Sequence, residues 1–206
     1  LMQEYGLISI GSHTGAWLKN ELKEFSSKKN ILIEPVPYNI TELKENIKEY
    51  NNIIIEESAI SDRNELVSFY HIKRNSINKL KKHWASGIGS FNKSHLLSHR
   101  NKRFLVTEDD IEEIKVNCIS FENLRIKYSI KKIDKLMLDV EGAEFKIINS
   151  LKLEDIHIKK IFFEKKHFDG YMKQGEKFDI IKKKLEAHNY KLENVDNENI
   201  LATLTK

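Results

Sequence analysis

The stretch Lys135-Leu-Met-Leu-Asp-Val-Glu-Gly-Ala-Glu144 decides the fold of this chain. Its apolar first half predicts a buried strand. Alternation along that strand would place the carboxylates of Asp139 and Glu141 on the same side, where each would raise the pKa of the other. Such a pair suits proton abstraction or metal binding, and Gly142 lets a ligand approach the backbone. In the alternative interpretation, Glu141 and Glu144 only favour the N-terminus of the following helix.

The segments on either side indicate an α/β protein, because apolar runs alternate with segments of helical spacing, as in parallel βαβ units. The predicted strands are residues 6–10, 30–34, 52–56, 65–72, 114–119, 135–140, 160–164, 190–195 and 200–204. The predicted helices are residues 16–25, 42–50, 121–128, 143–151 and 174–189, with Thr41 and Ser120 as N-caps of the second and third. Residues 114–119 are expected to pair antiparallel with residues 65–72. The turn at residues 196–199 predicts a C-terminal hairpin.

A glycine turn, Gly11-Ser-His-Thr-Gly15, joins the first predicted strand to the first helix. Glycines there let backbone N–H groups approach a ligand at a helix N-terminus, although a plain tight turn is the alternative. Glu34 ends the second strand about 20 residues later, where a carboxylate can accept both hydrogen bonds of a ribose diol. These features do not by themselves distinguish NAD from S-adenosylmethionine. The spacing is not G-x-G-x-x-G, which disfavours an NAD dehydrogenase.

The run from Ile133 to Glu144, I-D-K-L-M-L-D-V-E-G-A-E, resembles the signature of the FkbM family of methyltransferases, which is typically I-D-x-L-K-I-D-V-E-G-A-E. Residues 8–15, 34–38, 59–62 and 86–90 resemble other parts of the family pattern in matching order. The resemblance implies a Rossmann-like class I methyltransferase fold over residues 1–206, with a mostly parallel seven-stranded sheet. It also implies methyl transfer from S-adenosylmethionine, usually to oxygen. Ser9 stands where the family usually has an acid, and His13 where it usually has Asn.

The resemblance also implies which residues serve the donor and the acceptor. S-adenosylmethionine is expected to contact Gly11, Ser12, His13, Gly15, Glu34, Ala59, Ser61 and Asp139. Candidates for the base that removes the acceptor's proton are Asp139 and Glu141, followed by Glu164 and His167. The carboxylates of Asp139, Glu141 and Glu164 would alternatively suit Mg²⁺, so the sequence leaves base and metal open.

Two histidines, His95 and His99, have the i, i+4 spacing that would place two metal ligands on one helix face. No third ligand lies close in sequence, so an exposed, solvated pair is the expected interpretation. The single cysteine, Cys118, excludes an internal disulfide and a Cys-cluster metal site. No stretch approaches the roughly 20 apolar residues of a membrane helix. We expect a cytoplasmic protein, and because the chain reaches a strand almost at once, residues are expected to precede Leu1.

Charge is unevenly distributed along the chain. Residues 66–107 contain no Asp or Glu and nine Lys or Arg. Because the whole chain has a net charge of +4, the residues outside this region have a net charge of 4 − 9 = −5. Within this region, residues 73–103 are expected to form a basic loop with little core, inserted on the acceptor side. A basic segment on an acidic body indicates a local anionic partner, although a solubilising face is the alternative.

The working hypothesis is O-methylation of a sugar or glycoconjugate hydroxyl on an anionic acceptor. An RNA ribose methyltransferase is the enzyme alternative, although the basic segment has few aromatic residues and nucleic acid is not the expected partner. A degenerate, non-catalytic binding module of the same fold is the other alternative, motivated by Ser9. The sequence does not fix the oligomeric state.

Overall fold

The computed structural model describes residues 1–101 and 104–205, and for residues 83, 100, 101 and 104 it describes only the backbone. The strands are β1 Gln3–Ile10, β2 Asn30–Ile33, β3 Ile53–Glu56, β4 Ala59–Ser61, β5 Glu65–Ile72, β6 Arg100–Asn101, β7 Phe104–Leu105, β8 Ile111–Ser120, β9 Ile130–Leu138, β10 His157–Glu164, β11 Tyr190–Asn194 and β12 Asn199–Leu204. The α-helices are α1 Lys19–Glu24, α2 Pro37–Asn46, α3 Arg74–Leu80, α4 Lys93–Leu97, α5 Phe121–Lys127, α6 Glu144–Ser150 and α7 Glu176–Ala187. Short 3₁₀ turns cover Ala16–Leu18, His83–Gly87 and Glu108–Asp110.

The main sheet has seven strands in the order β11-β12-β10-β9-β1-β2-β3. Strands β3, β2, β1, β9 and β10 are parallel, whereas β12 runs antiparallel to both β10 and β11. The predicted α/β fold and C-terminal hairpin are therefore confirmed. The strand order reverses between β1 and β9, where Ile8 pairs with Leu136 and Ile10 with Leu138. Ligands of open α/β sheets bind beyond the carboxyl ends of the strands at such a switch point.

The core covers both faces of the central strands. Alternate residues of β1 point to opposite faces, so Leu7 packs with Leu32 and Met137 while Ile8 packs with Leu136 in a second cluster. These side chains are almost completely buried. Each fully buried Leu or Ile stabilises the fold by about 1.5–3 kcal/mol, which explains why the carboxyl ends of β1 and β9, residues 7–10 and 136–138, are mostly apolar.

A second sheet of three strands, in the order β4-β8-β5, packs beside the first. The predicted antiparallel pairing of Glu65–Ile72 with the later strand is confirmed, and Ser120 caps α5 by accepting a hydrogen bond from the N–H of Asn123. Residues 59–61, predicted as part of a loop, instead form β4 and pair with β8. The predicted cap at Thr41 is wrong, because α2 begins at Pro37, whose fixed φ favours the first helical position.

The basic segment, residues 73–103, is not a loop with little core. It forms α3, α4 and a 3₁₀ turn, and Leu80, Ile88 and Leu96 bury their side chains against β5 and β8. Among its cations whose side chains the structure describes, Arg74 forms an ion pair with Glu42, Lys79 with Asp110 and Lys93 with Glu108. Lys102 and Arg103 lie outside the described residues. Among the helices that the structure describes, none is long and apolar enough to cross a membrane.

Candidate active site

Two neighbouring cavities lie at the carboxyl ends of the central strands. The inner pocket is lined by residues that include Gly11, Glu34, Val36, Ala59, Phe69 and Phe91. The outer cleft is lined by residues that include Trp17, Trp84, His95, His99, Glu141, Lys146, His167 and Tyr171. His13, Ser86, Gly87, Phe91 and Asp139 line both cavities. The molecule therefore offers a small apolar pocket beside a larger cleft that also carries polar and charged side chains.

The glycine turn fastens β1 to its neighbours. Gly11 and Gly15 both have positive φ, +82° and +71°. The N–H groups of Gly11 and Ser12 donate to the carbonyl of Ile33 at 3.0 and 2.8 Å. The Ser12 hydroxyl is completely buried, donates to the Ser9 carbonyl and accepts from the Ile33 N–H. Ser12 thus bridges β1 and β2 through its side chain, and Gly11 and His13 are the members of the turn that line the inner pocket.

Glu34 lies directly after β2 and is only 2% exposed. One carboxylate oxygen accepts the N–H of His13 at 2.8 Å, and the other accepts the N–H of Val36 at 2.9 Å. Burial raises its pKa, and the charge of His13 opposes that shift. Each oxygen carries a second lone pair, so the carboxylate holds the turn in place and still has acceptor capacity toward the inner pocket.

His13 stands between two carboxylates at the junction of the cavities. Its Nδ1 lies 3.6 Å from Oε2 of Glu34, and its Nε2 lies 3.4 Å from Oδ2 of Asp139. Burial alone would lower the pKa of His13, but Asp139 and Glu34 raise it to about 9. His13 is therefore held as a cation at neutral pH by its contacts with the two carboxylates.

This arrangement predicts how stability depends on pH. Because the pKa of His13 rises from 6.5 to about 9 on folding, its stabilising effect is complete below pH 6.5 and is lost as pH rises toward 9. We expect the unfolding free energy of the wild type to fall by roughly 2–3 kcal/mol more than that of His13→Asn between pH 6 and 9.5. Urea denaturation at both pH values measures this difference, and a difference that does not change with pH would contradict it.

The structure separates the two residues of the loop after β3 that were predicted to contact the donor, Ala59 and Ser61. Ala59 lines the inner pocket, together with Ser58 and Ile60. Ser61 lines neither cavity, because β4 pairs it with Ser120 and its hydroxyl donates to Asp62. The serine of this loop that lines the pocket is Ser58, which follows β3 after a short turn. Its position near the end of a strand could have identified it from the sequence.

Glu144 braces the turn that follows β9. It is completely buried, and its two oxygens accept the N–H groups of Val140 at 3.0 Å and Gly142 at 2.9 Å. Burial raises the pKa of Glu144 to about 8. Between these two N–H groups lies Glu141, held at a φ of +48° that few residues adopt. Glu144 thus fixes the unusual backbone that aims Glu141 into the outer cleft.

Glu141 faces three histidines rather than Asp139. Its Oε2 lies 2.9 Å from Nε2 of His95, 3.5 Å from Nε2 of His167 and 4.0 Å from Nε2 of His99. Burial alone would raise the pKa of Glu141, but the imidazoles of His167 and His95 lower it well below its usual value. The predicted mutual rise in pKa with Asp139 is therefore wrong for Glu141. The strand ends at Leu138, so strand alternation no longer applies at residues 139–141.

Glu164 and His167 complete the polar wall beyond β10. Lys166 approaches Glu164 to 2.6 Å on one oxygen, while Oε2 of Glu164 and Nε2 of His167 are buried without a hydrogen-bond partner. These two unpaired atoms are 3.8 Å apart. Burial raises the pKa of Glu164 to about 7, although the ammonium of Lys166 opposes the shift. Both residues thus lie where the sequence predicted, with Glu141 close to both.

The expectation for His95 and His99 as an exposed, solvated pair is wrong. Both imidazoles are partly buried, and their ring centroids are 5.0 Å apart, with His167 4.6 Å from His95. Their partner Glu141 lies more than 40 residues further along the chain, so local spacing could not reveal it. The predicted Mg²⁺ set also does not assemble, because no described group of candidate ligands within 4.8 Å combines Asp139 with Glu141.

A family model described as "Methyltransferase FkbM domain" matches residues 9–192. The chain belongs to the FkbM methyltransferase family. The glycine turn, Glu34 and the Asp139–Glu144 turn of this FkbM domain lie around the two cavities. No curated protein sequence matches the chain significantly.

Solved structures share the fold at low sequence identity. The fibrillarin pre-rRNA processing protein of Methanococcus jannaschii matches with a TM-score of 0.51 and 13% identity, over 98% of this chain and 67% of that one. Precorrin-6y C5,15-methyltransferase of Geobacter metallireducens matches with a TM-score of 0.47 and 11% identity, over 100% and 82%. The ribosomal protein L11 methylase of Lactobacillus delbrueckii matches with a TM-score of 0.45 and 10% identity, over 100% and 72%. Family and fold identify an S-adenosylmethionine-dependent methyltransferase and leave its acceptor open.

Proposed function

We propose that this FkbM domain transfers the methyl group of S-adenosylmethionine to a hydroxyl oxygen of a sugar or glycoconjugate. The observation that carries the proposal is that the two cavities lie side by side and share His13 and Asp139 in their lining. A donor seated in the inner pocket would present its methyl group at this junction. An acceptor in the outer cleft would meet that methyl group beside the carboxylate and imidazole groups, as in-line transfer requires.

On the donor side, the adenosine would occupy the inner pocket. Glu34 would accept the ribose hydroxyls with its remaining lone pairs, and Ala59 with Phe69 would pack against the base. Gly11 and Gly15 keep the turn open, whereas Ser12 contributes by fixing β1 to β2. The cationic ring of His13 lies where it would meet the donor's carboxylate, the role that its place in the turn suggests.

On the acceptor side, the reaction needs removal of one proton. The hydroxyl oxygen forms a bond to the methyl carbon, the carbon–sulfur bond breaks with its electron pair going to sulfur, and the hydroxyl proton passes to a base. Asp139, Glu141, Glu164 and His167 are the candidates, and all four lie within or beside the outer cleft. The unpaired Oε2 of Glu164 makes this residue our choice for the base, with Glu141 and His167 as its neighbours.

Exposed aromatic side chains favour a sugar acceptor. Trp17, Trp84 and Tyr171 line the outer cleft and leave 40%, 38% and 70% of their surface exposed. Amphipathic rings of this kind offer an apolar face to the C–H groups of a sugar and a polar edge to its hydroxyls. The exposed Lys146 in the same cleft supports an acceptor that carries negative charge. The proposal includes a cytoplasmic location, with which the free thiol of Cys118 is compatible.

Donor binding tests the proposal directly. We expect calorimetry to detect binding of S-adenosylmethionine and of its demethylated product to the wild type. Glu34→Gln should bind the donor about 10–100-fold more weakly, because an amide offers one acceptor oxygen where the carboxylate offers two charged ones. Glu24→Gln, an exposed change at the end of α1, serves as the matched control and should bind normally. Absence of donor binding at millimolar concentration would contradict the proposal and favour a degenerate binding module.

The acceptor class has a separate test. Lys79 is unsuitable as a probe of acceptor charge because it pairs with the buried Asp110. Replacing Lys146 by Glu should raise the acceptor KM in methyl transfer to glycan fractions and leave donor affinity unchanged. RNA binding that weakens steeply with salt, together with methyl transfer to RNA, would overturn the sugar proposal in favour of a ribose methyltransferase.

A further inference from the structure

Three imidazole groups converge on one carboxylate in the outer cleft. His95 and His99 come from α4 and the residues after it, His167 follows β10, and Glu141 sits in the turn after β9. All three Nε2 atoms lie within 4.0 Å of the same oxygen, Oε2 of Glu141. Three separate parts of the fold thus deliver ligand-type atoms to one point. We propose that His95, His99 and Glu141, which bring one ligand atom each to within 4.8 Å of one another, bind a divalent transition-metal ion of the Zn²⁺ type, with His167 beside them.

The nitrogen and oxygen atoms around Oε2 of Glu141 have too few hydrogen atoms to form hydrogen bonds between all of them. Nδ1 of His99 lies 3.0 Å from the carbonyl of His95, and since a carbonyl only accepts, Nδ1 carries the hydrogen. In the neutral ring, Nε2 of His99 then presents a lone pair toward the Glu141 carboxylate, which also only accepts. Nε2 of His167 and Oε2 of Glu164 are buried beside the Glu141 carboxylate, and neither has a hydrogen-bond partner among the described residues. Lone pairs aimed at one another in a buried site indicate a place for a cation.

The spacing of these atoms fits one ion. Ligand atoms about 2.1 Å from Zn²⁺ stand about 3.4 Å apart in a tetrahedral arrangement. One ligand atom from each of His95, His99 and Glu141 lies within 4.8 Å of the other two. Oε2 of Glu141 lies 4.0 Å from Nε2 of His99, and its 2.9 Å contact with His95 would open slightly as the ion replaces a hydrogen bond. The bond from His99 to the His95 carbonyl matches the outer partner that metal-bound histidines usually have.

The ligand types select the metal. Imidazole suits Zn²⁺, Co²⁺, Fe²⁺ or Ni²⁺, whereas Mg²⁺ requires oxygen ligands in an octahedral arrangement. Two imidazoles with a single carboxylate therefore disfavour the Mg²⁺ that the carboxylates alone had suggested. The cluster faces the outer cleft, so a fourth coordination position remains open to a small molecule.

The catalytic role that we infer for this ion rests on the proposed function. An acceptor hydroxyl bound at the open position would have its pKa lowered by the metal. Its proton would pass to the neighbouring Glu164, and the metal-bound oxygen would attack the methyl group of the donor. The ion-binding site itself stands on the side chains alone and does not require that methyl transfer occurs.

Cobalt binding tests the site without an activity assay. We expect the chelator-treated wild type to bind one equivalent of Co²⁺ with the visible absorption of nitrogen and oxygen ligation, and Zn²⁺ to displace it. His95→Ala and His99→Ala should each weaken Co²⁺ binding by at least about 10-fold. His157→Ala, an exposed histidine on β10, is the matched control and should bind Co²⁺ like the wild type.

The outcomes separate this inference from the proposed function. No Co²⁺ binding by the wild type at 1 mM, or equal binding by folded His95→Ala, would overturn the metal site. Donor binding by calorimetry is measured on the same samples: if the donor binds and Co²⁺ does not, only the metal site falls. If Co²⁺ binds in the histidine-dependent manner and the donor does not, the metal site stands and the methyltransferase proposal falls.

Discussion

Replacing Gly11 by alanine is expected to destabilise the protein by about 3–5 kcal/mol and to lower donor affinity at least about 100-fold. The φ of Gly11 is +82°, which costs an alanine about 1–2 kcal/mol by itself. A Cβ at this position would also collide with the backbone of Asp139, the residue directly after β9. It would overlap the carbonyl oxygen of Asp139 and lie 2.8 Å from the carbonyl carbon. Relief requires that the ends of β1 and β9 separate, and the donor site lies across those ends.

Gly142→Ala is the matched control for this prediction. Gly142 also has a positive φ, +105°, but a Cβ there meets no atom within 4 Å. Its substitution should therefore carry only the backbone cost of about 1–2 kcal/mol. Urea denaturation and calorimetry with S-adenosylmethionine compare the two variants. Equal stability losses in both, with equal donor affinity, would show that the close approach of Gly11 to Asp139 has no special role.

The central strands and the donor side could be predicted because their causes are local. A strand buried on both faces must be continuously apolar, which made β1 and β9 readable from the sequence. Residues at the carboxyl ends of adjacent parallel strands then meet, so the turn at Gly11 and the run after Leu138 had to share a site. The position of Glu34 after β2 follows from the same rule.

The acceptor side could not be predicted in the same way because its contacts are distant in sequence. No sequence feature near His95 or His99 indicates that Glu141 and His167 pack against them. The charge pattern of residues 73–103 concealed a small core, since the apolar residues Leu80, Ile88 and Leu96 are spread among many polar ones. Turn geometry also intervenes: the positive φ of Glu141 sends its side chain away from the direction that strand alternation implies.

Glu144 shows how a motif position can have a structural role that its charge does not suggest. The sequence alternative gave it a favourable interaction with a helix N-terminus. The structure instead buries it completely, where it accepts the N–H groups of Val140 and Gly142 and sets the backbone of Glu141. Removing it would leave two buried N–H groups without an acceptor and create a cavity, each of which is costly.

We therefore expect Glu144→Ala to lose about 3–5 kcal/mol of unfolding free energy, or roughly 8–15 °C in Tm for a chain of this size. Glu144→Gln should lose less, because its amide oxygen still accepts one N–H group. Exposed Glu186→Ala on α7 is the control and should change stability by less than about 0.5 kcal/mol. A loss in Glu144→Ala as small as that of the control would contradict the proposed brace.

The pH dependence of the Gln variant distinguishes the brace from simple packing. Folding raises the pKa of Glu144 from 4.5 to about 8, so its contribution to wild-type stability is complete below pH 4.5 and declines as pH rises through 8. An amide does not titrate, so the difference in unfolding free energy between the wild type and Glu144→Gln should shrink between pH 5 and pH 9. A constant difference would mean that folding does not raise the pKa of Glu144, which would contradict the burial of a protonated carboxyl group at this position.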